Sequence, residues 1–399
     1  MLRILLLESI HSSAVERFVE QGHKVIELKD ALQGPELVNE LKGVHVLGIR
    51  SKTKVKREIL EQAPDLQAVG CFGVGTNQVE LSIATSLGIP VFNAPYASTR
   101  SVAELTVAEV IMLARRAVPA SIKLHRGEWQ KSASGCYEVL EKKIGIVGYG
   151  HIGQQVGLLA EHFGLQVYFY DVVKKLPLGR AQQVTSLDEL LQFADFVSLH
   201  MPALDREELL VGERELKLMK QGSFLLNFSR GSLVDLPALK RALESGHLAG
   251  AAIDVYAKEP QSNKEQFQCE LTGMDNVILT PHIGGSTEEA QRKIGLEVSS
   301  SLLGYLSRGT TVGAVNFPQV NLPPFPASHR ILNIHQNVPG VLSDVNRIIS
   351  DLGANVDAQY LSTYRDIGYL IVDINRELAR GVGEEIEKLG TNIKTRVLY

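Results

Sequence analysis

Tryptophan occurs once in the 399 residues, at Trp129, and cysteine three times, at Cys71, Cys136 and Cys269. The cysteines form no C-x-x-C pair and no even-numbered framework, which argues against a disulfide scaffold and a structural zinc site. They read as reduced, buried thiols of a cytoplasmic protein, and no metal is expected. The N-terminal apolar run ends at Glu8, without the longer apolar region and small-residue cleavage site of a signal peptide. No stretch approaches the roughly 18 apolar residues that span a membrane. Basic residues are not in surplus: 41 Lys and Arg stand against 45 Asp and Glu, a formal charge of −4. The densest basic cluster is Lys52 to Arg57, so neither a membrane nor a nucleic-acid partner is indicated. An anionic substrate would have to meet a few local cations.

What is present is an ordinary globular composition, 44% hydrophobic and 22% charged, in a chain long enough for two to three domains at about 150 residues each. Over the first ninety-five residues short apolar runs at 4–7, 24–28, 44–49 and 66–71 alternate with helical patterns, which predicts a parallel sheet covered on both faces. A helix is expected from Ser101 to about Arg126. Beyond it, apolar runs at 144–147, 167–170, 196–199, 224–227, 250–254 and 277–279 indicate a second doubly wound sheet. Pro318, Pro323, Pro324 and Pro326 crowd the stretch 316–326, which reads as an extended linker. After it the pattern is βαββαβ, the ferredoxin-like order. In its first helix Leu342, Val345, Ile349 and Leu352 form one apolar stripe.

The strongest local signal is Gly148-Tyr149-Gly150-His151-Ile152-Gly153. It follows a predicted strand, opens a helix and precedes a second strand ending in Asp171. That context marks a dinucleotide fingerprint, with Gly148 for the turn, Gly150 for approach to a pyrophosphate and Gly153 for helix–strand packing. Asp171 would accept from the ribose hydroxyls and repel a 2′-phosphate, which favours NAD over NADP. Hydride transfer from an alcohol also needs a base for the hydroxyl proton, a role that suits histidine. His200 and His282 both lie just past apolar strands, where ligands dock, and position alone does not choose between them. Arg230, past another strand, could grip a carboxylate with its fork. Glu259 could raise the pKa of a neighbouring histidine.

Together these segments resemble the D-isomer-specific 2-hydroxyacid dehydrogenases, and within them the short bacterial type that ends in an ACT domain. The likeness runs over essentially the whole chain. It is carried by Ile49-Arg50-Ser51, Gly75-Thr76-Asn77-Gln78-Val79, Asn93-Ala94-Pro95, Ser98-Thr99-Arg100-Ser101-Val102-Ala103-Glu104, the fingerprint, Ser229-Arg230-Gly231, Ala251-Ala252-Ile253-Asp254-Val255, Glu259-Pro260 and Thr280-Pro281-His282-Ile283-Gly284-Gly285-Ser286-Thr287. The resemblance implies a flavodoxin-like substrate domain (1–97 and 285–320), a Rossmann-like NAD domain inserted in it (98–284), a linker (321–327) and a ferredoxin-like ACT domain (328–399).

The implied reaction is NAD-dependent oxidation of D-3-phosphoglycerate to 3-phosphohydroxypyruvate, with some tolerance for 2-oxoglutarate as a reducible substrate. His282 falls on the family's base, Glu259 on its partner and Arg230 on the substrate-orienting arginine, while His200 becomes a residue of the cofactor cleft. The implied cofactor set also includes His151, Ile152, Phe228, Ser229, Arg230, Asp254, His282, Gly284 and Gly285. Substrate contacts fall on Arg50, Ser51, Lys52, Val74 and Gly75. The expected effector is L-serine at His335, Asn337 and Asn355, and the expected assembly is a homotetramer. Lys52 stands where relatives often carry a second arginine, Phe228 where a small residue is usual, Glu141 where a glycine commonly precedes the fingerprint strand, and Val338 in place of an arginine. The alternatives are a glyoxylate or hydroxypyruvate reductase of the same family and a non-catalytic NAD-sensing regulator.

Overall fold

In the computed structural model the N-terminal apolar runs form a five-stranded parallel sheet of β1 (Arg3–Leu6), β2 (Lys24–Glu27), β3 (Val46–Ile49), β4 (Ala68–Cys71) and β5 (Val91–Phe92). All residues are described except 203–208, 261–263, 324–328, 376 and 399. The strand order β2-β1-β3-β4-β5 is that of the flavodoxin-like fold. Successive side chains point to opposite faces. Ile4, Val46 and Ala68 therefore enter one core, and Leu5, Leu47 and Val69 the other. The two-residue β5 is too short to show a periodicity and lies outside the runs that the sequence pattern marks.

The chain divides into two compact units, Met1–Ala97 with Gln291–Tyr399, and Ser98–Ala290. The second unit holds a seven-stranded parallel sheet: β6 (Lys143–Val147), β7 (Gln166–Tyr170), β8 (Gln182–Gln183), β9 (Phe196–Leu199), β10 (Ser223–Asn227), β11 (Leu248–Ile253) and β12 (Val277–Leu279). Its order, β12-β11-β10-β9-β6-β7-β8, reverses between β6 and β9, the kind of place where open α/β sheets bind nucleotides. The single helix expected over 101–126 is two helices, Thr99–Arg115 and Ala117–His125. Arg116 adopts a left-handed conformation (φ 51°) between them. Pro119 explains the break: inside a continuous helix its ring would clash with the Arg115 carbonyl, whereas the first turn of a new helix tolerates it.

The C-terminal strands β13 (His329–Gln336), β14 (Val356–Tyr364), β15 (Ile367–Ile374) and β16 (Asn392–Leu398) form an antiparallel sheet in the order β14-β15-β13-β16. Helices Val341–Asp351 and Ala379–Glu387 cover one face through Val345, Ile349, Val382 and Ile386. The sequence pattern sets this segment apart as a separate unit beyond a linker at 321–327, of which 324–327 lie outside the described residues. In the structure its other face shares a core with the N-terminal sheet, Leu332, Ile334 and Tyr369 packing with Ile4, Phe92, Val298 and Leu302.

Arg330 fastens this junction. It is fully buried and makes a bidentate pair with Asp373, Nε to Oδ1 at 2.6 Å and Nη2 to Oδ2 at 2.7 Å. Its Nη1 donates to the carbonyls of Arg308 (2.9 Å) and Pro323 (3.3 Å). Removing one partner leaves the other charge buried and uncompensated. Asp373→Ala is therefore expected to destabilise the first unit by about 3–5 kcal/mol in chemical denaturation, and a paired apolar replacement at 330 and 373 by much less. Equal losses in the two variants would show that the ion pair itself supplies the stability.

Candidate active site

The turn after β6 is shaped by close approach. Gly148 has φ 90° and donates its N–H to the Tyr170 carbonyl at 2.9 Å. A Cβ on Gly153 would collide with the Gly148 carbonyl oxygen, so only glycine lets the helix His151–His162 start this near the strand. A Cβ on Gly150 would meet nothing within 4 Å, which leaves the backbone open at the helix N-terminus. The N-cap Gly150 makes no side-chain cap bond, and a helix N-terminus of this kind suits an anion. Asp171, one residue past β7, accepts from the N–H groups of Tyr149 (2.9 Å) and Val173 (3.1 Å). A carboxylate has about four lone-pair sites, so it keeps capacity for ribose hydroxyls.

His200, past β9, is buried, with Nε2 at 2.8 Å from the Ser198 hydroxyl and Nδ1 without a partner among the described residues. Burial pushes its pKa down to about 3, so the ring is neutral. Its carbonyl packs against Gly148. The glycine cradle, the acidic acceptor and this orphaned ring nitrogen fit a dinucleotide.

His282 is built differently. It follows Pro281 in the left-handed region (φ 54°), half exposed, and its Nδ1 lies 2.9 Å from both Oε1 and Oε2 of Glu259. That hydrogen bond, opposed by burial, raises the His282 pKa. On the Glu259 side burial works upward, but the bond to His282 and its charge prevail, and the carboxyl pKa is lowered. The loop is clamped from below by Asp254, which is buried. Asp254 accepts from the Thr280 hydroxyl (2.7 Å), the Ile283 N–H (2.8 Å) and the Gly284 N–H (2.9 Å). The single Tyr256 hydroxyl proton is shared between the carbonyls of Ile253 (2.9 Å) and Thr280 (3.0 Å).

Arg230 joins this group because Gly231 has no side chain: a Cβ there would overlap the Tyr256 and Ala257 backbone. Asn227 fixes the turn, accepting from the Ser229 N–H and hydroxyl (both 3.1 Å) and donating to the Arg230 carbonyl (2.9 Å). Burial lowers the Arg230 pKa and the Glu259 charge opposes that. Arg230, Glu259, Asp254 and His282 thus form one cluster. His200 belongs to the fingerprint turn instead. The Phe228 ring is buried in an apolar cluster with Val102, Val107 and Ile278, and Gly285 lies against Ser98.

In the first unit, Arg50, Ser51 and Lys52 follow β3, and neither Arg50 nor Lys52 has an ion-pair partner among the described residues. Val74 and Gly75 follow β4, and their N–H groups have no protein acceptor among the described residues. In the C-terminal sheet His335 is buried, with Nδ1 at 2.9 Å from Asn333 Oδ1 and its ring against Gly368. Asn337 and Asn355 are exposed. Cys71 is buried, Cys136 and Cys269 are half-buried, and all three are unpaired thiols. Among the described residues no cluster of three metal-ligating side chains occurs, and no helix is long and apolar enough to cross a membrane.

Glu109 is a residue the motifs do not mark. It is buried in helix Thr99–Arg115, and one carboxyl oxygen has no partner among the described residues. Burial, reinforced by the Asp254 charge, pushes its pKa up to about 8 from 4.5. The folded state therefore holds a proton there that the unfolded chain loses, so stability falls as pH rises between those two values. Glu109→Gln has no such proton. Its stability relative to the native chain should therefore rise from pH 4.5 to 8. A constant difference in denaturation free energy across that window would refute the protonated state.

Residues 107–284 match the family model for the NAD binding domain of D-isomer specific 2-hydroxyacid dehydrogenases, and residues 331–394 that for an AHAS small subunit-like ACT domain. Two curated proteins named D-3-phosphoglycerate dehydrogenase are similar over the full chain. The protein from Dictyostelium discoideum is 49% identical over 100% of this chain and 97% of its own length. That from Escherichia coli strain K12 is 47% identical over 100% and 98%. A solved NAD complex of NAD-dependent formate dehydrogenase from Staphylococcus aureus superposes with a TM-score of 0.68 at 29% identity, covering 77% of this chain and 96% of that one. The chain therefore belongs to the D-isomer specific 2-hydroxyacid dehydrogenases, as an NAD-dependent oxidoreductase that carries a C-terminal ACT domain.

Proposed function

We propose that the protein oxidises D-3-phosphoglycerate to 3-phosphohydroxypyruvate with NAD, the entry step of serine synthesis. The observation that carries this reading is the His282–Glu259 pair beside Arg230, in a chain nearly half identical, end to end, to proteins named for that reaction. NAD, when bound, accepts the hydride from the carbinol carbon. His282 takes the hydroxyl proton at Nε2, because Nδ1 is committed to Glu259 as a donor, and that carboxylate then stabilises the imidazolium. His200 cannot serve instead, since burial keeps it from holding a proton and its Nε2 faces Ser198. Arg230 orients the substrate carboxylate and developing carbonyl with its planar fork. The N–H groups of Val74 and Gly75 hold the carboxylate, and Arg50, Ser51 and Lys52 hold the phosphate. The unpaired cations at 50 and 52 favour this over a reductase of glyoxylate or hydroxypyruvate, whose substrates carry no phosphate. 2-Oxoglutarate, which also carries two anionic groups at the ends of a short chain, would meet the same groups in the reducing direction.

In this reading 1–97 with 285–320 form the substrate domain, 98–284 the nucleotide domain and 328–399 a regulatory domain. The last binds L-serine through His335, Asn337 and Asn355, in a cytoplasmic homotetramer. Exposed side chains such as Trp129 and the helix Ala117–His125, which buries no residue, are consistent with an oligomer.

The direct test is NADH formation from D-3-phosphoglycerate and D-glycerate, with and without L-serine. Turnover should be confined largely to the phosphorylated acid and be inhibited by serine. Equal turnover of both acids would sink the substrate assignment, and indifference to serine the regulatory one. The full chain is needed, because removing the C-terminal sheet would uncover the apolar core around Val298 and Leu302.

The pH profile tests the base. Oxidation requires neutral His282, so kcat/KM should rise with pH through a pKa above the ordinary histidine value, where the Glu259 bond holds it. Glu259→Gln removes the charge that favours the imidazolium. The rising limb should then move to lower pH, with kcat/KM down by about tenfold to a hundredfold. An unmoved limb would assign the titration to another group.

A further inference from the structure

The loop that presents Arg50 and Lys52 is shaped by a residue far from it in sequence. Glu8 lies two positions past β1 and is 8% exposed. Its backbone and that of Ser9 are both left-handed (φ 62° and 52°), a conformation that residues with a side chain seldom adopt twice in succession. The carboxylate turns inward and accepts three backbone N–H groups: Arg50 at 3.2 Å, Lys52 at 2.9 Å and Thr53 at 2.9 Å. Gln78, also buried, donates its amide to the carbonyls of Arg50 (2.6 Å) and Gly75 (3.2 Å), which ties this loop to the one carrying Val74 and Gly75.

The choice of partners is informative. A buried carboxylate next to Arg50, Lys52 and Lys54 could neutralise a cation. Instead its oxygens are committed to peptide N–H groups, and the Arg50 and Lys52 side chains stay free of ion pairs among the described residues. A neutral amide at position 8 would offer one acceptor oxygen and turn an NH2 group toward donors. Only the carboxylate can hold all three N–H groups and leave the cations available.

We propose that Glu8 is a positioning residue that sets substrate specificity: through the Arg50–Thr53 backbone it fixes where the two cations meet the second anion of the substrate, with Gln78 holding that loop in register with the carboxylate-binding loop. This rests on the reading that Arg50 and Lys52 hold the substrate phosphate.

The test is a double-mutant cycle on the full-length enzyme, with steady-state kinetics on D-3-phosphoglycerate and NADH binding read by fluorescence. Glu8→Gln should raise KM about tenfold, as loss of uniform ground-state binding does, with kcat and NADH affinity each within about twofold of native. Combined with Arg50→Ala it should raise KM by clearly less than it does in the native background, because only Lys52 is then left for it to position. If Arg50→Ala raises KM and Glu8→Gln does not, or if their effects multiply in full, the proposal is overturned while the phosphate reading stands. If Arg50→Ala leaves KM unchanged, the phosphate reading fails and takes the proposal with it. A parallel loss of kcat, NADH affinity and melting temperature at unchanged KM would reduce Glu8 to a scaffold residue. Should Glu8→Gln not fold, Glu8→Asp carries the same test, since its shorter carboxylate must release at least one N–H group and raise KM in the same direction.

Discussion

The Asp254 carboxylate holds the 280–284 loop of the second unit in place. It stands one residue past β11, a strand buried at nearly every position, so its own location is set by the core. From there it takes one hydroxyl and two N–H groups from the segment 280–284. His282 can keep its left-handed backbone because that segment is over-determined. Asp254 fixes both sides of it, Tyr256 holds the Thr280 carbonyl, and Glu259 holds the ring. Strain at one residue is offset by bonds at its neighbours, and the result is an imidazole whose free nitrogen has a defined direction.

The same device recurs at other strand ends. Asp171 after β7 accepts the N–H groups of Tyr149 and Val173, and Glu8 after β1 accepts three from the loop after β3. The chemistry is general. Loops that leave the carboxyl ends of parallel strands carry N–H groups with no ladder partner, and buried ones must find an acceptor. A carboxylate can satisfy several at once, and those donors compensate the burial of its charge. The three cases differ in what remains. Asp254 and Glu8 are buried and serve the loops, while Asp171 is partly exposed and keeps lone pairs for a ligand.

Elements whose information is local could be read from the sequence. β9 and β12 fall on the predicted apolar runs, the glycine fingerprint announces the turn at 148–153, and the βαββαβ order of the C-terminal sheet follows from its periodicity. The strands β5 and β8 are too short to carry a period, and the helix break at Arg116 lay inside a helical apolar spacing that runs from Val102 to Val118. In the candidate site, position left His200 and His282 equivalent. Burial separates them, and burial depends on what the rest of the sheet places around each ring. Glu8 was visible only as the residue that ends an apolar run, because its partners lie forty-two to forty-five positions away. Glu109 sits in an amphipathic helix where a lone glutamate normally faces water.

The distribution of charge follows from the same placement. Many cations of this slightly acidic chain are paired with a carboxylate four residues away, as in Arg57–Glu61, Arg100–Glu104, Lys217–Glu213 and Arg380–Glu384. Such pairs are solvated and contribute little. Arg50 and Lys52 escape that fate although a carboxylate lies against their own backbone, because its lone pairs already face peptide N–H groups. Arg230 is the complementary case. It lies close enough to Glu259 to feel its charge, yet that carboxylate faces the histidine ring, and the Arg230 Nη1 donates to the Ser229 carbonyl instead. Nearby acids hold loops and rings, which leaves Arg50, Lys52 and Arg230 without an ion-pair partner among the described residues. Net charge is therefore a poor guide to which cations of a chain remain unpaired, because what matters is which donors each carboxylate is already committed to.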